Sequence, residues 1–253
     1  MYAAERQQRI MAEARSAGRV EVAALADVLR VTPETVRRDL TVLERRGTLR
    51  RVHGGAIPVE RLELEPTLAT RTRRLTEEKR RIATRAIEEL PAEGTVILDA
   101  GSTTLAVAEL FPRTLDVTVL TNSVAAAGIL TNHPGVDLYL IGGRIRGVTG
   151  AAVGEWAVSA LRDIYVDVAF LGTNGFSFAR GLTTPDQSES LVKRAMVGAA
   201  RRRILVSDAT KSGDDHLHRF ADLGELDLII TDTDLDAEVA TEIRTLGPEV
   251  VLA

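Results

Sequence analysis

TPETVRRDL, residues 32–40, places two adjacent arginines inside a short, well-capped helix. Thr32 suits an N-cap and Pro33 the first turn, where a backbone N–H would have no intrahelical partner. Val36, Leu40 and Leu43 recur at i, i+4 and i+7 and make one apolar stripe. Thr35, Arg37, Arg38 and Thr41 lie off that stripe, so the arginines face water or a partner. Upstream, EVAALADVL (21–29) carries Val22, Leu25 and Leu29, and a helix over 3–17 carries Ile10 and Ala14 on one side. Arg30, Val31 and Thr32 form the turn between the two short helices, which makes a helix-turn-helix. Downstream, Gly47 is placed to end the helix at about residue 46. In TLRRVHGGA (48–56), Leu49 and Val52 are apolar and Gly54–Gly55 supply a tight turn, the pattern of a small β wing.

The charge distribution agrees with a basic head on an acidic body. Residues 1–57 hold 11 Arg against 7 Asp and Glu, a net of about +4, whereas the remainder is near −8 within a chain total of −4. Phosphate neutralisation needs local rather than global positive charge, so this asymmetry points to a nucleic-acid-binding head. With no cysteine, disulfides, thiolate catalysis and Cys-ligated zinc or iron–sulfur centres are excluded. There is no run of 18 apolar residues, and MYAAERQQRI lacks the apolar core of a signal peptide, so a cytoplasmic location is expected.

Residues 58–75, PVERLELEPTLATRTRRL, contain two prolines, many charges and no sustained period, and read as a connecting arm between a head at 1–57 and a body at 76–253. In the body the grammar changes. Apolar strand-like runs occur at 95–100, 117–121, 137–143, 166–172, 203–208, 226–232 and 250–253, with helix-like stretches such as 76–90, 103–110, 123–130 and 186–200 between most of them. Alternation of this kind implies a doubly wound, mostly parallel α/β sheet, with ligands at the carboxyl ends of its strands.

DAGSTT, Asp99–Thr104, falls at such a strand end and opens onto a helix. Gly101, Ser102, Thr103 and Thr104 offer the backbone N–H groups and hydroxyls a phosphate needs at a positive helix end. Hydroxyls that merely cap the helix fit the same residues. The segment is neither a Walker A motif nor GxGxxG, so kinase, ATPase and dehydrogenase chemistry lose their usual anchor. The turns TNS (121–123), IGGR (141–144), LGTNG (171–175) and SDATK (207–211) repeat small and amide-bearing residues at strand ends. On spacing alone, Glu189 and Lys193 read as an exposed i, i+4 ion pair and Lys211 as a solvated loop lysine. His216 and His218 read as an exposed loop rather than a metal site, RRR (201–203) as a solvated helix-terminal run, and Trp156 as buried or at a subunit contact. No cofactor or metal is expected.

Taken together, VTPETVRRDLTVLERRGTLRRVHGGA, DAGSTT, TNS, the IGG turn, FLGTNG, GLTTPDQSESLVKRAMV and SDATK resemble the bacterial DeoR family of transcriptional repressors, in the family's order and over essentially the whole length. The resemblance implies a sensor domain similar to the ribose-5-phosphate isomerase fold that binds a phosphorylated sugar without catalysis. It places Gly101, Ser102, Thr103 and Thr104 in a phosphate cradle braced by Asp99. Asn122, Gly142, Gly175, Glu189, Lys193, Asp208 and Lys211 match other pocket positions, with Lys193 and Lys211 as anion or hydroxyl partners. The opening residues resemble regulators of fructose-utilisation operons, which implies a fructose phosphate as inducer. The partners expected are operator DNA, met by Thr32, Thr35, Arg37, Arg38 and Thr41 on the helix and Arg50, Arg51 and His53 on the wing, a phosphorylated sugar, and further copies of the chain in a dimer or tetramer. No membrane partner is expected. The rival reading is an isomerase-like enzyme with a DNA-binding appendage, using Glu189 as base and Lys193 as electrophile.

Overall fold

The computed structural model describes residues 3–17, 19–45, 48–52, 54–58 and 65–253, and the chain divides into two compact units, 1–65 and 66–253. In the first, α1 (Ala3–Ala17), α2 (Val22–Leu29) and α3 (Pro33–Arg45) surround Ile10, Ala14, Leu25, Leu29, Val36, Leu40 and Leu43, all buried. The stripe read from the sequence is therefore the core of the unit. Arg30, in the left-handed region at φ 52 and ψ 49, ends α2 and turns the chain into α3. Strands β1 (Val20–Glu21), β2 (Leu49–Val52) and β3 (Gly55–Pro58) form an antiparallel sheet in the order β1-β3-β2, with Gly54 at φ 73 in the β2–β3 turn. This is the wing. The expected cap at Gly47 and His53 lie outside the described residues.

The second unit is built on a seven-stranded sheet. In chain order its strands are β4 (Glu93–Leu98), β5 (Asp116–Thr121), β6 (Val136–Leu140), β9 (Val166–Leu171), β12 (Ala200–Val206), β14 (Leu228–Thr231) and β15 (Glu249–Leu252), and every pairing is parallel. The spatial order is β15-β14-β12-β9-β4-β5-β6. The interior strands are buried on both faces toward their carboxyl ends and read as continuous apolar runs; the edge strands β6 and β15 are partly exposed but apolar enough to be visible in the sequence as well. Val96, Leu98, Val168 and Phe170 point into one layer with α5 (Thr76–Ile87), α6 (Ser102–Glu109) and α7 (Val124–Leu130). Their neighbours Ile97, Ala169 and Leu171 point into the other with α8 (Glu155–Leu161), α9 (Gln187–Ala199) and α10 (Ala237–Arg244). The sheet is doubly wound. From β4 the chain runs outward to β5 and β6, then returns to place β9 on the other side of β4, so the topological switch lies between β4 and β9.

Smaller elements decorate the carboxyl ends of these strands. They are the hairpin β7 (Arg144–Arg146) and β8 (Ala151–Val153), and an antiparallel sheet of β10 (Gly175–Ser177), β11 (Gly181–Thr184) and β13 (His218–Ala221). A short helix, α4 (Leu68–Thr72), capped by the Thr67 hydroxyl at 3.3 Å from the Thr70 N–H, forms within the stretch read as a connecting arm. Five residues are too few to show a period. Three other expectations change. RRR lies in β12, where Arg202 pairs with Glu89 at 2.7 Å and Arg203 donates to the Glu225 carbonyl at 2.8 Å. His216 and His218 are half-buried, the latter in β13, with the His216 N–H donating to Thr183 Oγ1 at 3.0 Å. Of the two readings of Trp156, burial falls, since it is 80% exposed, and the subunit contact stands untested.

Candidate functional site

On the first unit, α3 presents the polar face its spacing predicts. The Thr35 N–H donates to Thr32 Oγ1 at 3.3 Å, so Thr32 caps the helix as read. Arg37 and Arg38 are exposed and Thr35 and Thr41 half-buried. Arg37 lies against both oxygens of Glu34 at 3.0 and 3.1 Å, a contact worth little in water and open to exchange for phosphate. The Thr41 hydroxyl donates to the Arg37 carbonyl at 2.9 Å and accepts from Arg51 Nη1 at 3.3 Å, which links helix and wing. Arg50 is in β2, next to Arg51. Between the exposed residues Asp39 is buried, holding Arg6 at 2.5 Å and Gln7 at 3.1 Å, and so ties α1 to α3. An aspartate following two arginines carries no signal of burial, and the sequence reading passed over it.

On the second unit a cavity opens at the carboxyl ends of β4, β9 and β12, at the switch point. It is lined by Gly101, Ser102, Thr103, Thr104, Glu189, Lys193, Asp208 and Lys211 among the residues expected there. The hydroxyls of DAGSTT divide between the two readings of that motif. Thr104 donates back to the Gly101 carbonyl at 3.1 Å and stabilises the helix start, while Ser102 and Thr103 make no side-chain hydrogen bond with a described residue and face the cavity. Gly101 is extended at φ 172, so its backbone suits any residue; a methyl group there would sit 3.2 Å from Thr104 Oγ1.

Glu189 and Lys193 are both buried and turn to different partners, unlike the exposed pair that spacing alone suggested. Lys193 Nζ donates to Asp99 and to the Gly172 carbonyl at 3.0 Å. Asp99 also accepts from the N–H groups of Ala100 at 2.8 Å and Gly172 at 2.9 Å, so it braces the β4 and β9 turns against each other from behind the cavity. Glu189 accepts from Thr149 at 2.5 Å, Thr184 at 3.2 Å and Arg146 at 3.4 Å. Each buried charge is matched, which is what makes it tolerable in the interior.

Three expected residues are elsewhere. Asn122 follows β5 and donates to the Ala152 carbonyl at 3.3 Å; Gly142 follows the edge strand β6 and is exposed. Both loops lie on strands progressively farther from the switch point, and similar turn chemistry in the sequence carries no information about strand order. Gly175 starts β10, where a methyl group would come within 2.2 Å of the Asp214 carbonyl oxygen, so it is a packing glycine. The sequence reading missed Arg71, Thr149, Thr173, Asn174 and Ser207, which line the cavity. Thr173, Asn174 and Ser207 sit inside the turns LGTNG and SDATK, where the signal was available; Arg71 is on α4. Among the described residues no group of three His, Asp or Glu gathers as a metal site.

Residues 6–61 match the family described as DeoR-like helix-turn-helix domain, and residues 74–233 match the DeoR C terminal sensor domain. The chain belongs to the DeoR family. Among relatives of this DeoR-family regulator, the HTH-type transcriptional regulator GlpR of Haloferax volcanii is 40% identical, over 99% of this chain and 98% of that one. The uncharacterized HTH-type transcriptional regulator FruR of Bacillus subtilis is 34% identical over 92% and 93%, and a putative aga operon transcriptional repressor of Escherichia coli O157:H7 is 32% identical over 98% and 93%. Among solved structures, a ribose 5 phosphate isomerase A from Neisseria gonorrhoeae overlaps with a TM-score of 0.41 at 14% identity, over 57% of this chain and 55% of that one. With relatives named as regulators across its length and a DeoR-type head, the chain is a DNA-binding transcription regulator, not an enzyme, and the isomerase reading falls. Among the described residues no helix is long and apolar enough to cross a membrane.

Proposed function

We propose that this regulator represses a carbohydrate-utilisation operon and leaves its operator when a phosphorylated sugar, such as a fructose phosphate, occupies the second unit. One observation supports the reading above others. The N-terminus of α6, with the hydroxyls of Ser102 and Thr103, opens on the same cavity as Arg71, Lys193 and Lys211. A helix N-terminus with cations beside it suits a phosphate. Glu189, Asn174, Thr149 and Asp208 supply the acceptors and amide that sugar hydroxyls need. The relatives' names include a FruR and an aga operon repressor, in keeping with a sugar as the signal.

In this reading α3 enters the major groove. Thr35, Arg37, Arg38 and Thr41 meet bases or phosphates, Thr32 lies beside the backbone, and Arg50, Arg51 and His53 add wing contacts. The regulator works in the cytoplasm as a homo-oligomer, because a single helix-turn-helix reads one half-site.

The test is binding of the full-length protein to DNA from its own upstream region at two salt concentrations, with and without a panel of hexose and pentose phosphates. Affinity is expected to fall steeply with salt. One sugar phosphate is expected to weaken it by about 5- to 150-fold, the span of ordinary allosteric coupling. Operator affinity indifferent to every sugar phosphate would overturn the effector assignment, and the absence of salt-sensitive binding would overturn the recognition helix.

A further inference from the structure

Lys79 lies on α5, does not line the cavity, and is nonetheless buried. Its Nζ donates to the backbone carbonyl oxygens of Arg71 at 2.7 Å and Arg74 at 2.5 Å. These are the end of α4 and the turn after it, so the ammonium takes up carbonyls that a helix C-terminus leaves without intrahelical donors. The helix it holds needs such help. α4 has five residues, none of them buried, and a helix that short has little stability of its own. It is also fastened by the partly buried Leu68 side chain, against the sheet's core, and by the Leu68 N–H, which donates to the Val148 carbonyl at 2.8 Å. Val148 precedes Thr149 of the cavity wall. The link from α4 to α5 is Leu75, a leucine in the left-handed region at φ 51, a conformation that only surrounding contacts maintain.

Burial holds the Lys79 ammonium below its ordinary value; Asp208 and Glu78 oppose that effect, and Lys211 and Arg71 add to it. Arg71 and Lys211 also line the cavity, so an anion entering it meets both.

We propose that Lys79 is a positioning residue that sets Arg71 in the cavity wall, and that α4 is a latch which an anion held by Arg71 tightens onto the second unit. This deepens the effector reading and rests on it. α4 is the first helix after the DNA-binding unit, separated from β3 by residues 59–67 alone, so the latch is the element through which occupancy is passed along the chain to the head.

The experiment uses the full-length protein with inorganic phosphate, fructose 1-phosphate and fructose 6-phosphate as probes. Three quantities are read: probe binding by calorimetry, amide exchange over 68–75, and operator release. In the unsubstituted protein the bound probe is expected to slow exchange over 68–75 by about tenfold, within ordinary coupling energies. Leu68→Pro keeps a residue suited to the first helical turn but deletes the hydrogen bond to Val148. It is expected to bind the probe within about threefold of the unsubstituted protein and to lose most of the release, a split that a general loss of structure would not give. Lys79→Met is expected to weaken both. Should Lys79→Met fail to fold, Leu68→Pro carries both readouts. If a probe binds but exchange over 68–75 does not change and Leu68→Pro releases normally, the latch is overturned and the effector site stands. If no probe binds the unsubstituted protein, the effector reading fails and the latch with it.

Discussion

Gly175 has no space for a methyl group. An added Cβ would meet the Asp214 carbonyl oxygen at 2.2 Å and its carbonyl carbon at 2.7 Å, both backbone atoms that cannot swing aside. Gly175→Ala is expected to destabilise the second unit by about 1–3 kcal/mol through forced backbone displacement, measured as a lower denaturation midpoint. The residue belongs to LGTNG, where small residues gather for two unrelated reasons: Thr173 and Asn174 line the cavity, and Gly175 lets β10 approach the segment opposite. A sequence shows that a residue is small, not which neighbour requires it. Glu189 and Lys193 teach the same lesson for charge. Their spacing is that of a surface pair, and their burial becomes visible only once Asp99, Gly172, Thr149 and Thr184 are brought around them.

Among the elements, β4 and β9 are joined by more than their ladder. Asp167 on β9 accepts from both the N–H and the hydroxyl of Thr95 on β4, each at 2.9 Å, and these bonds hold its carboxyl below the ordinary value. A carboxylate with a depressed folded-state value contributes stability that is present above the unfolded-state value and is lost as the pH falls through the folded one. Asp167→Ala is therefore expected to cost about 1–3 kcal/mol near neutrality. The difference between the two proteins should begin to shrink near pH 4, the ordinary aspartate value, and go on shrinking as the pH falls through the lower folded-state value. Urea unfolding at pH 7 and at successively lower pH measures it; a difference constant with pH would show that the link does not act through charge. Elements of this length and burial were the part of the fold most legible in the sequence, because apolar runs and caps are local signals. The short ones, α4 and the hairpins β7–β8 and β10–β11, were not, since three to five residues show no period and are shaped by what they pack against.

Over the whole molecule, the sheet ends on one side in β6, an edge strand whose Tyr139 and Leu140 are 57% and 52% exposed. Exposed apolar edges invite pairing unless something covers them. A second copy of the chain fits the half-site logic of the head, and sedimentation is expected to give a dimer or tetramer, with Leu140→Lys shifting the equilibrium toward monomer. A monomeric protein at concentrations that saturate its operator would overturn that assignment. The expectation of a two-part chain came from the shift in charge and periodicity near residue 60, which only whole-chain comparison reveals. The order in which strands fill the sheet was not readable, and with it went Asn122 and Gly142.

That order also has a consequence in time. β4, the first sheet strand to be synthesised, becomes an interior one, and later strands add outward on both sides of it. The DNA-binding unit is synthesised whole before β4 is made, while the cavity waits for residues as late as Lys211. A growing chain thus has its DNA-binding unit complete for well over a hundred residues of synthesis before the wall of its cavity is complete.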